Sequence, residues 1–124
     1  MMTIAALYTS VHFFENSDQM YQKILDEKNM DLSEVYLKKG SNAYIAGLYK
    51  QAIDEYSQAL VLSKQELTRV EAKFGLGMCY EELEDEIKAK QLYEEIRDVY
   101  PARKVIDIRI KAIEDRLKRK TFQK

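Results

Sequence analysis

The chain has one cysteine and one histidine in 124 residues, Cys79 and His12, and these are the first places to look for chemistry. Covalent catalysis needs a nucleophile within reach of a base, and a reactive thiolate needs electropositive neighbours. The charges nearest Cys79 in sequence are Glu81 and Glu82. Cys79 therefore reads as a small apolar packing residue, and His12 as a polar turn residue. One cysteine cannot close an internal disulfide, and with one histidine it falls short of an ordinary zinc ligand set. We expect no catalytic residues, no metal and no cofactor, and a reducing, cytoplasmic setting.

Two charged runs invite functional readings. EELEDE, residues 81–86, is dense in carboxylates but lacks the alternating oxygen ligands and central glycine of a calcium loop, so it reads as a solvated helix end and turn. RLKRK, residues 116–120, could meet an anionic surface. Lys and Arg also collect at helix C-termini through the helix dipole, which makes it a solvated helix end. The formal net charge of −1 conceals an asymmetry: residues 102–124 carry nine Lys/Arg against three Asp/Glu, and residues 1–101 carry eleven against eighteen. The tail is +6 and the body −7. That balance argues against bulk attraction to nucleic acid or to a membrane. The apolar opening MMTIAALYTSVHFF lacks a basic leader and a small-residue cleavage site, and His12 interrupts it; it reads as mature structure without membrane insertion.

Gly75 and Gly77 raise a third possibility, a phosphate-cradling loop. No Gly-Lys-Ser/Thr follows them and no strand precedes them. They sit in a helical pattern, where each glycine costs about 1 kcal/mol relative to alanine, so their reason must be packing.

The elements that hold these residues are helices. One proline and four glycines in 124 residues, with long stretches of Ala, Leu, Glu, Lys and Gln, favour an all-α fold with no strands. GSNAYIAGLYKQAIDEYSQAL from Gly40 aligns without a gap on GMCYEELEDEIKAKQLYEEIR from Gly77, at an offset of 37. Gly40 meets Gly77, Ala52 meets Ala89, Tyr56 meets Tyr93, Ala59 meets Ile96 and Leu62 meets Val99. Each segment reads as two helices around a turn, at Gly47 in the first and at Glu84 and Asp85 in the second, with Asp85 a natural N-cap. Thr68 with Glu71 reads as a capping box, and Asp31 with Glu34 as a looser one.

These positions resemble the tetratricopeptide repeat. In the last repeat Leu76, Gly77, Tyr80, Ala89, Tyr93, Ile96 and Pro101 match the signature of that family, with Tyr93 in place of Phe and Lys73 in place of the leading aromatic. In the middle repeat Tyr36, Gly40, Ala52, Tyr56 and Ala59 match, while Lys39, Ala43 and Lys64 depart. A weaker copy over 1–31, at an offset of 35 from the middle repeat, places Ala5 on Gly40, Tyr21 on Tyr56 and Tyr8 at the repeat's Tyr place. The family period is about 34, so a spacing of 37 implies extra residues within SKQELTRV, as a longer turn or an extended helix. Gly77, like Gly40, falls where paired helices touch. Gly75 has no place in the repeat and reads as exposed. After Pro101, Ile106, Ile110, Ile113 and Leu117 form one helical stripe, suited to a helix that closes the stack.

The domain map expected is a degenerate repeat over 1–31, repeats over 32–66 and 68–101, and a capping helix over 102–120, stacked as a short right-handed α-solenoid. The resemblance implies that the first helix of each repeat lines a concave groove that receives a peptide or helix of a partner protein. The inward residues would be Leu37, Ser41 and Tyr44 in the middle repeat, with Phe74, Met78 and Glu81 in the last. Members of the family that grip a C-terminal carboxylate use a Lys and an Asn where this chain has Leu37 and Ser41, so no such clamp is expected. Three readings stay open: an adaptor with a partner in the groove; a homo-oligomeric structural subunit, or a part of an envelope or secretion complex, that buries these apolar residues against the C-terminal helix or a second copy; and an enzyme accessory docked through its basic tail.

Overall fold

A computed structural model describes residues 31–122. The expected degenerate repeat, apart from Asp31, and His12 lie outside the described residues. Five α-helices run through them: α1 (Leu32–Ile45), α2 (Tyr49–Leu62), α3 (Glu66–Glu82), α4 (Glu86–Ile96) and α5 (Arg103–Phe122). There is no strand among the described residues. Each helix packs on the next, and α1 also lies against α3. The fold is all-α, with consecutive hairpins side by side.

The two hairpin turns are closed by the same hydrogen bonds, shifted by 37 residues. In the first, the N–H groups of Ala46, Gly47 and Leu48 donate to the carbonyls of Asn42, Tyr44 and Ala43, at 3.0, 3.0 and 2.9 Å. In the second, Leu83, Glu84 and Asp85 donate to Cys79, Glu81 and Tyr80, at 3.1, 3.0 and 2.9 Å. Bonds of this kind satisfy the last carbonyls of a helix and need one left-handed residue. Gly47 takes that place at φ +80°, and Glu84 takes it without the help of glycine, at φ 63°.

Helix starts bear out two expectations and overturn a third. Asp31 caps α1, its carboxylate accepting from Ser33 N–H at 3.0 Å and from Ser33 Oγ at 2.7 Å. The side-chain bond from Ser33 is the main reason its carboxyl sits below the usual range. Asp85 caps α4 through Lys88 N–H at 3.3 Å. Thr68, however, is no cap. The N-cap of α3 is Gln65, in extended backbone, and Thr68 is buried inside the helix. The connection from α2 spans only Ser63, Lys64 and Gln65, because the extra residues between repeats continue the helix. α3 has 17 residues where α1 has 14. A capping motif read along the chain cannot tell a helix start from a first-turn residue that faces the core.

Two tyrosines organise the interior. One cluster holds Ala43, Ala52, Tyr56, Leu76 and Cys79, and the other holds Val70, Ala89, Tyr93, Ile96, Ile106, Ile110 and Ile113. A methyl group at Gly40 would come within 2.8 Å of Tyr56 Cδ1, and one at Gly77 within 2.5 Å of Tyr93 Cε1. The expected touching points are therefore real. Gly75 reverses its expectation: it is buried, and a Cβ there would run into the Cζ end of the Tyr56 ring. Tyr56 lies against a glycine on each of α1 and α3. α5 lays Ile106, Ile110 and Ile113 against this core, with Leu117 partly buried beside them. Burying an Ile side chain is worth about 1.5–3 kcal/mol, so this stripe contributes several kcal/mol to the docking of a charged helix.

Candidate partner-binding groove

α1 and α3 present their exposed sides together, and between them lies a concavity of about 230 Å³. Leu37, Ser41, Phe74 and Met78 line it, with Tyr56 and Gly75 beneath and Lys38 and Glu71 at its rim. Four of the six expected groove residues are thus gathered at one place. Leu37, Phe74 and Met78 are half-buried, and Ser41 is exposed. The small residues below shape the depression, since the buried ring of Tyr56 occupies the space that side chains at Gly40 and Gly75 would need.

Tyr44 and Glu81 are placed differently. Tyr44 is half-buried near the turn, its ring 5.5 Å from that of Tyr49 at an interplanar angle of 59°, and its hydroxyl donates to Glu82 Oε1 at 3.4 Å. It is not among the residues lining the concavity. Glu81 faces α5: its Oε1 accepts from Tyr93 Oη at 2.5 Å and from Arg109 Nη1 at 3.1 Å, and its Oε2 from Arg116 Nη2 at 3.0 Å. Phe74 also has an internal side. Its ring stacks on Tyr100 at 4.8 Å and 26°, and the Arg109 guanidinium lies 5.4 Å from its centroid.

The ion pairs continue onto α4. Arg116 Nε donates to Glu86 Oε1 at 2.8 Å, and Lys120 Nζ to Glu86 Oε2 at 3.2 Å. EELEDE and RLKRK therefore meet in part. Glu81 and Glu86 of the acidic run, and Arg116 and Lys120 of the basic one, form a clasp, which corrects the reading of both runs as solvated. The physical reason is geometric. α5 packs along α4, and Arg109, Arg116 and Lys120 recur on one side of it, where Arg109 and Arg116 reach Glu81 on α3 and Arg116 and Lys120 reach Glu86 at the start of α4. Neither run shows this alone. The available signal was the pairing of an acidic body with a basic tail.

The electrostatics follow from this burial. Removal from water would raise the Glu86 carboxyl, but the hydrogen bonds from Arg116 and Lys120 outweigh it and hold the group below its ordinary value. The Tyr93 phenol is pushed up, first by burial and then by the bond to Glu81. Cys79 is fully buried, and burial pushes its thiol up to about 12. A thiol so held is protonated at neutral pH, in keeping with a packing role. No group of three or more His, Cys, Asp or Glu among the described residues is arranged to hold a metal ion. No helix among them is long and apolar enough to cross a membrane.

Comparison with models of known protein families and with curated proteins gives no match.

Proposed function

We propose that the chain is a non-catalytic adaptor or scaffold module of the tetratricopeptide-repeat type, cytoplasmic, whose α1–α3 face takes a peptide or helix of a partner protein. The observation that carries this reading is the apolar concavity bounded by Leu37, Phe74 and Met78. The recurrence of the turn hydrogen bonds at an offset of 37 supports the repeat assignment. An interface draws most of its energy from a few well-packed residues near its centre.

Met78 is the residue to test. It lines the concavity, and no ring or ion contact ties it to α5, whereas Phe74 also supports Tyr100 and Arg109. The full chain is used as bait, and a captured protein is retested against Met78→Ala, Leu37→Ala and the exposed control Gln91→Ala. We expect the two groove variants each to weaken binding by about tenfold or more, with Gln91→Ala unchanged and all three equally helical. Equal binding by all four proteins would refute the groove.

A further inference from the structure

α5 has an outer side that the clasp and the core leave unused. Its inner stripe of Ile106, Ile110 and Ile113 is buried, one flank carries Arg109, Arg116 and Lys120 to Glu81 and Glu86, and the other carries Asp107 and Glu114 to Arg97 and Lys90. Opposite the inner stripe stand Lys104, Lys111 and Lys118, seven residues apart, hence on one line of the helix. Arg119 lies beside them. All four are exposed and make no ion pair among the described residues, and Ile108, one turn on from Lys104, lies beside that line at 68 % exposure. Asp115 is the carboxylate on this side. The result is a cationic ridge about 20 Å long with an aliphatic residue in it.

The α1–α3 groove has the complementary chemistry. Glu71 lines its rim, and Glu82, further along α3 and outside the concavity itself, accepts the Tyr44 hydroxyl; both are exposed and take part in no ion pair among the described residues, while Lys38 at the rim and Arg109 over Phe74 are the cations nearby. Ridge and groove belong to different sides of one rigid stack, so they cannot meet within one molecule. Two copies can bring them together. A formal net charge of −1 leaves little overall repulsion between copies, and the ridge cations, Glu71 and Glu82 are among the charges that the clasp leaves unspent. A symmetric contact between two α5 ridges is disfavoured, because antiparallel pairing sets Lys111 against Lys111 and Lys104 against Lys118.

We propose that the occupant of the groove is the outer side of α5 of a second copy, with Lys104, Lys111 and Lys118 against Glu71 and Glu82, and Ile108 on the apolar floor. This deepens the groove reading and rests on it. The contact is heterologous, so it leaves a free groove at one end and a free ridge at the other and grows with concentration. Exposed ion pairs are screened by salt, so growth weakens as ionic strength rises.

Sedimentation of the full chain tests this, at low salt and at roughly 0.5 M salt. Wild type should grow beyond a dimer as concentration rises at low salt. Glu71→Lys with Glu82→Lys, and separately Lys104→Glu with Lys111→Glu and Lys118→Glu, should each weaken growth by about tenfold or more. Mixed in equal amounts, the two variants should grow again as an alternating chain, since the unchanged ridge of the first fits the unchanged groove of the second and the reversed ridge of the second fits the reversed groove of the first. Restored pairing also shows that both variants are folded. A wild type that remains monomeric at low salt overturns the inference, as does a mixture that fails to pair while both variants keep wild-type helicity. Either result leaves the groove itself to be judged by whether Met78→Ala loses a captured partner, so the two readings fail separately.

Discussion

Glu81 of α3 and Arg116 of α5 stand 35 residues apart in the chain and meet at 3.0 Å, and the same carboxylate accepts the Tyr93 hydroxyl. A repeat-packing tyrosine, the first helix of its repeat and the closing helix are therefore tied through one side chain. Glu81 is well covered, at 15 % side-chain exposure, while Arg116 is a third exposed. Its value should be that of a partly screened, charge-assisted network.

Replacing Glu81 with Gln, and Arg116 with Met, should each destabilise the fold by about 1–2 kcal/mol, since each leaves a covered partner underpaired. The double variant should cost less than the sum, because both changes remove one interaction. Urea unfolding of the four proteins measures the cycle. Strict additivity would mean that the two residues stabilise the fold independently.

Acid should loosen the clasp through Glu86. Its carboxyl lies below the ordinary value in the fold, so the folded state binds fewer protons than the unfolded one in that window. Its contribution is present above about pH 4.5 and is lost as pH falls through the depressed value. Glu86→Gln should remove part of the decline between about pH 5 and 3, read from thermal midpoints across that range. If the two proteins decline in parallel, Glu86 does not carry the effect.

The glycines supply a test in which sequence and structure disagree. Gly75→Ala and Gly77→Ala should each lower stability by about 1–3 kcal/mol, because the added methyl overlaps a buried tyrosine ring. Tyr93 is held by Glu81 and has little freedom to retreat. If Gly75→Ala instead stabilises, as an exposed helical glycine would, the Tyr56 ring is not seated on it. Denaturant midpoints separate the outcomes.

By itself the sequence determined the helices, the Gly47 and Asp85 turns, the pairing of Tyr56 with Tyr93 and of Gly40 with Gly77, and the isoleucine stripe of α5. These are local or periodic properties. Helix propensity, turn chemistry and a 37-residue recurrence are written in neighbouring residues, and a core stripe shows in its spacing. The tertiary structure alone decided that Thr68 is interior and that Tyr56 also presses on Gly75. It alone decided that Tyr44 and Glu81 leave the concavity to Leu37, Ser41, Phe74 and Met78, and that three of the nine basic residues of the tail are spent on Glu81 and Glu86. Those outcomes depend on which side of a helix meets which neighbour. An ion pair between residues 35 apart has no local signature, because charge reads the same along the chain whether water or an arginine faces it.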